Sequence, residues 1–157
     1  MTDGLSIQEQ LYPDLPCFGC GHGNPKGLRL RSYPGPAYDD DHVVTAAFMP
    51  WPEHDNGLGY LNGGIISTVL DCHSAAAVML ESQRLGIPVL PGAALSYVTA
   101  GLDVRYLRPS PLHEPVELRA VVTAADEGQM TVDVELVFDG KTRATAAALW
   151  KRWRPRS

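Results

Sequence analysis

No stretch of this chain stays apolar for the ~20 residues that a membrane-crossing helix requires. Its first residues also lack the basic-then-apolar order of a secretory signal. Cysteine is scarce, with three in 157 residues, an odd number that suits a reducing compartment better than a disulfide framework. Positive charge is in deficit: 13 lysines and arginines against 18 acids leave a formal net charge of -5. Such a balance argues against nucleic acid as a main partner, although a local basic patch can still meet a phosphate-bearing ligand. No internal repeat or low-complexity tract is present. These absences lead us to expect a cytoplasmic protein with no membrane or nucleic-acid role. Against them stand 45% hydrophobic and 20% charged residues, ordinary for a globular chain, and a length suited to one domain with a real core.

The longest periodic segment begins at Leu61-Asn62-Gly63-Gly64 and runs to about Arg84. Ile65, Ile66, Val69, Leu70, His73, Ala76, Ala77 and Leu80 recur at three- and four-residue spacing, which predicts a helix. Asn62 is a suitable N-cap, and the two glycines leave backbone N–H groups open to a ligand oxygen. Gly86 and Pro88 supply the stop signal. A lone carboxylate, Asp71, interrupts this helix among small neighbours, Ser67, Thr68, Ser74 and Ala75. Small side chains leave room for a guest, while the same acid taken alone also suits a solvated helix face.

Residues 1–27, rich in proline and glycine, read as an irregular lead. Cys17-Phe18-Gly19-Cys20-Gly21-His22 lies within it. This spacing offers three zinc ligands, to which Cys72-His73 on the helix would add a fourth. Metal knuckles usually come as two such pairs, and only one is present, so the expectation is no metal and buried thiols acting as small apolar groups. Residues 28–33 alternate as a strand, residues 34–41 carry turn chemistry, and Val43 to Met49 forms a second strand. A loop with Trp51, His54 and Asn56 then leads to the helix, where a lone histidine is read as surface decoration.

Beyond the helix the period changes to two. Alternating segments around 102–107, 116–124, 130–138 and 142–150 predict strands with one face to a core, the last three joined as an antiparallel meander. Ala144, Ala146 and Ala148 leave one inward face so low that a helix can lie close against it. The expected architecture is α+β, a curved antiparallel sheet wrapped around one long helix over residues 28–152, followed by a basic tail at 153–157. One helix cannot cover such a sheet, so self-association, as a dimer or dimer of dimers, is expected.

The order of elements resembles the hotdog-fold acyl-CoA thioesterases, in particular the phenylacetate-pathway-like branch. That family's motif is an asparagine, a His-Gly-Gly six residues later, and an aspartate nine after the histidine. Here Asn56, Asn62-Gly63-Gly64 and Asp71 fall at those spacings. Thr99 matches the family's Ser or Thr when Tyr106-Leu107-Arg108-Pro109 is aligned to the end of the same strand. The departure is Asn62, which stands in the histidine's place; it can donate a hydrogen bond but cannot shuttle protons at neutral pH.

The resemblance implies thioester hydrolysis, with CoA as part of the substrate and no separate cofactor. Asp71 would be general base or nucleophile, Gly63 or Gly64 amides would polarise the carbonyl, and Asn56, Asn62 and Thr99 would orient the reacting groups. It also implies that Asp71 of one subunit faces the glycine amides of another. Arg105 and Arg108, with Lys151 or Arg152, are candidates for the phosphates of CoA. Three rivals remain: a non-catalytic acyl-CoA-binding domain, a hotdog hydratase or dehydratase (which would want the missing histidine), and a zinc-binding module at Cys17, Cys20 and His22.

Overall fold

The computed structural model describes residues 4–156. Three helices and six strands follow in the order α1 (Ile7–Leu11), β1 (Ser32–Pro34), α2 (Tyr38–Asp41), β2 (Val44–Phe48), α3 (Gly63–Arg84), β3 (Tyr97–Tyr106), β4 (Val116–Ala125), β5 (Gln129–Phe138) and β6 (Lys141–Arg152). The strands form one antiparallel sheet in the order β1-β2-β4-β5-β6-β3. This is the hotdog arrangement, a curved sheet wrapped around one long central helix.

Helix α3 starts where the sequence places it. The Asn62 side-chain oxygen accepts from the backbone N–H of Gly64 at 2.7 Å and of Ile65 at 3.3 Å, satisfying two amides that have no partner within the helix. It ends at Leu85, before Gly86 in the left-handed region at φ +71°. From Cys72 to Ser82 every residue is buried. By length and mean hydropathy α3 would pass for a membrane span, but its apolar surface is spent on the sheet.

The sheet side of the contact follows from strand alternation. Leu118, Ala120, Val132, Val134, Leu136, Ala144, Ala146 and Ala148 all point into the core. Fully burying a Leu side chain such as Leu118 or Leu136 contributes roughly 1.5–3 kcal/mol. The tight β5–β6 turn uses Asp139 (φ 52°) and Gly140 (φ 69°), both positive as a two-residue primed hairpin turn demands.

Two segments differ from the sequence reading. Residues 28–31 do not form a strand: Arg29 takes φ 57°, and β1 is only three residues long. The lead, in turn, is more ordered than its composition suggests. Ser6 and Glu9 form a reciprocal capping box that starts α1. Ile7, Tyr12, Cys20 and Leu28 are buried in the same core as α3. A buried polar chain ties these parts together: Gln8 donates to Ser32 Oγ (3.1 Å), Ser32 Oγ meets His73 Nδ1 (2.9 Å), and His73 Nε2 donates to the Val44 carbonyl (2.9 Å).

Candidate active site

Asp71 lies on the α3 face that meets β3, half-buried. Thr99 Oγ1 donates to its Oδ1 at 2.8 Å. The pairing of β3 with β6 is regular except for a bulge between Thr99 and Gly101, next to the residue that reaches the acid. Ser74 anchors the following turn, donating to the Asp71 carbonyl at 2.7 Å and accepting from Trp150 Nε1 at 2.9 Å. Asp71, Thr99, Ala75, Val98 and Trp150 share a largely apolar cavity of about 360 Å³. Burial raises the Asp71 pKa above the usual carboxylate value; the Thr99 hydrogen bond opposes that shift and the charge of Cys17 adds to it. Burial outweighs the hydrogen bond.

The helix start is the second half of the expected site. Gly64 and Asp71 are two turns apart on α3, about 10 Å along the axis, so one carbonyl cannot touch both within a single chain. The Gly64 amide is occupied by Asn62, the N-cap, which leaves the Gly63 amide as the less committed donor. Tyr106, used in the sequence only as an alignment landmark, holds this end in place. Its hydroxyl donates to the Gly63 carbonyl at 2.7 Å and lies 2.7 Å from Ser67 Oγ.

Other expected residues are brought elsewhere. Asn56 is exposed, and its side-chain oxygen accepts from the amides of Leu58 (2.8 Å) and Tyr60 (3.3 Å), so within this chain it shapes the loop rather than touching Asp71. Arg105 pairs with Asp103 at 3.2 Å on the exposed side of the sheet, in a separate cleft that also holds Asp133 and Glu135. Arg108, exposed just beyond β3, donates to the Thr142 carbonyl at 3.3 Å. Arg152 is buried, donates to the Ser96 carbonyl at 3.3 Å and lies over the Tyr97 ring, which removes it as a phosphate contact. Lys151 donates to the Gln129 side chain.

Two histidine expectations are corrected. His54 is not surface decoration: it is buried, stacked between Phe48 and Trp51, and its Nδ1 accepts from the Trp51 amide at 2.9 Å. His22 is exposed against Arg31 at 3.0 Å, and His73 is bound to Ser32 and Val44, so neither belongs with the cysteines. The three sulfurs, by contrast, do come together: those of Cys17, Cys20 and Cys72 lie within 4.8 Å of one another.

With this geometry in place, comparison assigns the chain. Residues 58–145 match the thioesterase superfamily, more than half of the sequence, and the protein belongs to that family. Helix α3, Asn62, both glycines, Asp71, Thr99, Arg105 and Arg108 fall inside the match; Asn56 and the cysteine-bearing lead fall outside it. Among solved structures it is similar to a phenylacetic acid degradation-related protein from Ralstonia eutropha (21% identity, TM-score 0.68, covering 93% of this chain and 98% of that one). It is similar also to a thioesterase superfamily protein from Shewanella loihica (24%, TM-score 0.64, covering 85% and 98%). A third is a Bacillus halodurans protein solved with CoA (20%, TM-score 0.62, covering 82% and 77%). At these identities the likeness establishes the shared fold. Comparison with curated protein sequences finds no match.

Proposed function

We propose that this thioesterase-superfamily protein hydrolyses an acyl-CoA thioester to the free acid and CoA in a cleft formed by two copies of the chain. The observation that carries the reading is Asp71, a carboxylate half-buried on the core helix, fixed by Thr99 at 2.8 Å and facing an apolar-walled cavity. Two turns of helix separate it from the Gly63 amide, so a second chain supplies the amide opposite each acid. The acyl chain occupies the cavity. The thioester oxygen meets the helix start, whose dipole carries roughly half a positive charge. Asp71 takes a proton from water, hydroxide adds to the carbonyl, the tetrahedral oxyanion collapses, and the CoA thiolate leaves and is protonated. In the variant route the Asp71 carboxylate adds directly and water hydrolyses the resulting anhydride. Arg108 meets a CoA phosphate; CoA is part of the substrate and no separate cofactor takes part. The Bacillus halodurans relative solved with CoA and the family membership support this substrate class. Three unpaired cysteines fit a cytoplasmic setting.

The test is a thiol-release screen against short, long, branched and aromatic acyl-CoAs. Turnover is expected with at least one class, and Asp71→Asn should lower kcat about 10²–10⁴-fold with the fold intact, as for loss of a general base. An Asp71→Asn variant that turns over at the wild-type rate rejects the assignment.

One observation favours a second reading, a non-catalytic acyl-CoA-binding domain. Asn62 occupies the Gly64 amide and cannot act as a proton carrier. Tight acyl-CoA binding by calorimetry without release of thiol from any substrate would select it.

A further inference from the structure

Helix α3 and the lead loop place three thiols side by side. Cys17 and Cys20 come from the loop and Cys72 from the helix, next in sequence to Asp71. The Cys17 and Cys72 sulfurs are 3.7 Å apart. Zinc–thiolate bonds of about 2.3 Å in tetrahedral array set a sulfur–sulfur edge of about 3.8 Å, so this pair already stands at ligand spacing. The third sulfur lies within 4.8 Å of both, so a movement of at most about an ångström completes the face.

The loop is shaped for this approach. A side chain at Gly19 would collide with Cys72 Sγ and crowd Thr68, and one at Gly21 would collide with the backbone of Cys17 and Leu15. Glycine at both positions lets the Cys-x-x-Cys turn close on itself and lie flat against α3. Gly21 N–H donates to the Cys17 carbonyl at 2.8 Å, which closes the turn.

A separate observation comes from the cavity wall. The Tyr12 hydroxyl is enclosed and finds no hydrogen-bond partner among the described residues. It lines the same cavity as Cys17, Cys20, Cys72 and Asp71. An orphaned phenol beside a thiol cluster is a donor awaiting a ligand.

We propose that Cys17, Cys20 and Cys72 bind one zinc ion, with the fourth tetrahedral corner open to the cavity that Tyr12 and Asp71 line. Three thiolates are soft ligands that select zinc among the abundant divalent metals, and three protein ligands plus one open corner is the donor set of a site that accepts solvent or substrate. Binding releases the remaining thiol protons to water, with no change in oxidation state. The site ties the lead to α3 and forms part of the cavity floor. The sequence favoured buried thiols without metal, with zinc as a rival reading on Cys17, Cys20, His22 and a fourth ligand from Cys72-His73; this site keeps the three cysteines and leaves both histidines out.

The experiment is elemental analysis of the full-length protein, produced with zinc supplementation, kept reduced and passed through gel filtration. About one zinc per chain is expected. Cys17→Ser and Cys20→Ser should each lower the zinc content at least fivefold, and His22→Ala should leave it unchanged. Cys17→Ser alters a half-exposed loop residue, and circular dichroism confirms that it folds. Wild-type protein stripped by a chelator and loaded with cobalt should show thiolate-to-cobalt charge transfer and the visible bands of a tetrahedral ion. The proposal is overturned by reduced wild-type protein that takes up neither metal while all three thiols react with Ellman's reagent. It is equally overturned by zinc that persists in both cysteine variants, or by a disulfide among these residues in freshly isolated protein. None of these readouts involves a thioester, so the result is independent of the hydrolase reading.

Discussion

A single hydroxyl at 2.8 Å holds the Asp71 carboxylate in place, and its contribution can be measured. A hydrogen bond to a charged group is worth about 1.5–3 kcal/mol, so Thr99→Val should lower kcat/KM roughly ten- to a hundredfold. Thr99→Ser, which keeps the donor, should retain most of the activity. A valine variant as active as the wild type would show that the acid needs no such support. At this scale the sequence was readable only in part. Asp71 stood out because a lone acid interrupted an apolar helix, and Thr99 because of its distance from a tyrosine landmark. The Ser74–Trp150 bond joins residues 76 positions apart, and no local pattern announces it. Likewise, no periodicity distinguishes the buried His54 from a histidine on the surface.

Helix α3 shows why Asn62 serves well in its position. Its oxygen satisfies two amides at the helix start, a role histidine fills less well. Asn62→Ala should cost about 1 kcal/mol of stability, read as a lower urea midpoint, whereas Asn62→Asp should preserve the cap. If alanine leaves the midpoint unchanged, capping is not its role. The boundaries of α3 were legible because cap, periodicity and glycine stop are all local signals. The strand expected at residues 28–33 failed for the converse reason. Its alternation is genuine, with Leu28 and Leu30 buried and Arg29 and Arg31 less so, but the burial is against the core beneath the cysteine loop rather than in a ladder.

For the molecule as a whole, the buried chain Gln8–Ser32–His73–Val44 joins lead, sheet and helix and makes stability depend on pH. Burial lowers the His73 pKa to about 4, below its ordinary 6.5, while the hydrogen bond to Val44 partly resists. The unfolded chain therefore takes up a proton at a higher pH than the folded one. Stability from this residue is complete above about pH 6.5 and is lost as pH falls toward about 4, a difference of about 3 kcal/mol. His54, also lowered by burial, acts in the same direction. Urea midpoints at neutral and mildly acid pH should fall more steeply for the wild type than for a folded His73→Asn variant. Parallel slopes would exclude His73 as the cause.

What the sequence determined by itself was whatever depends on neighbours along the chain: the period of each strand, the two ends of α3, the meander of β4 to β6, and an alanine face flat enough to accept a helix. Tertiary structure alone decided which distant side chains meet. It turned Thr99 onto Asp71, committed Arg152 and His54 to the interior, and laid Cys17 and Cys20 on Cys72 while moving His22 to solvent. The physical reason is that backbone propensity and hydrophobic period act over a few residues, whereas a site is assembled from residues far apart in the chain, whose distances are set only once the core has closed.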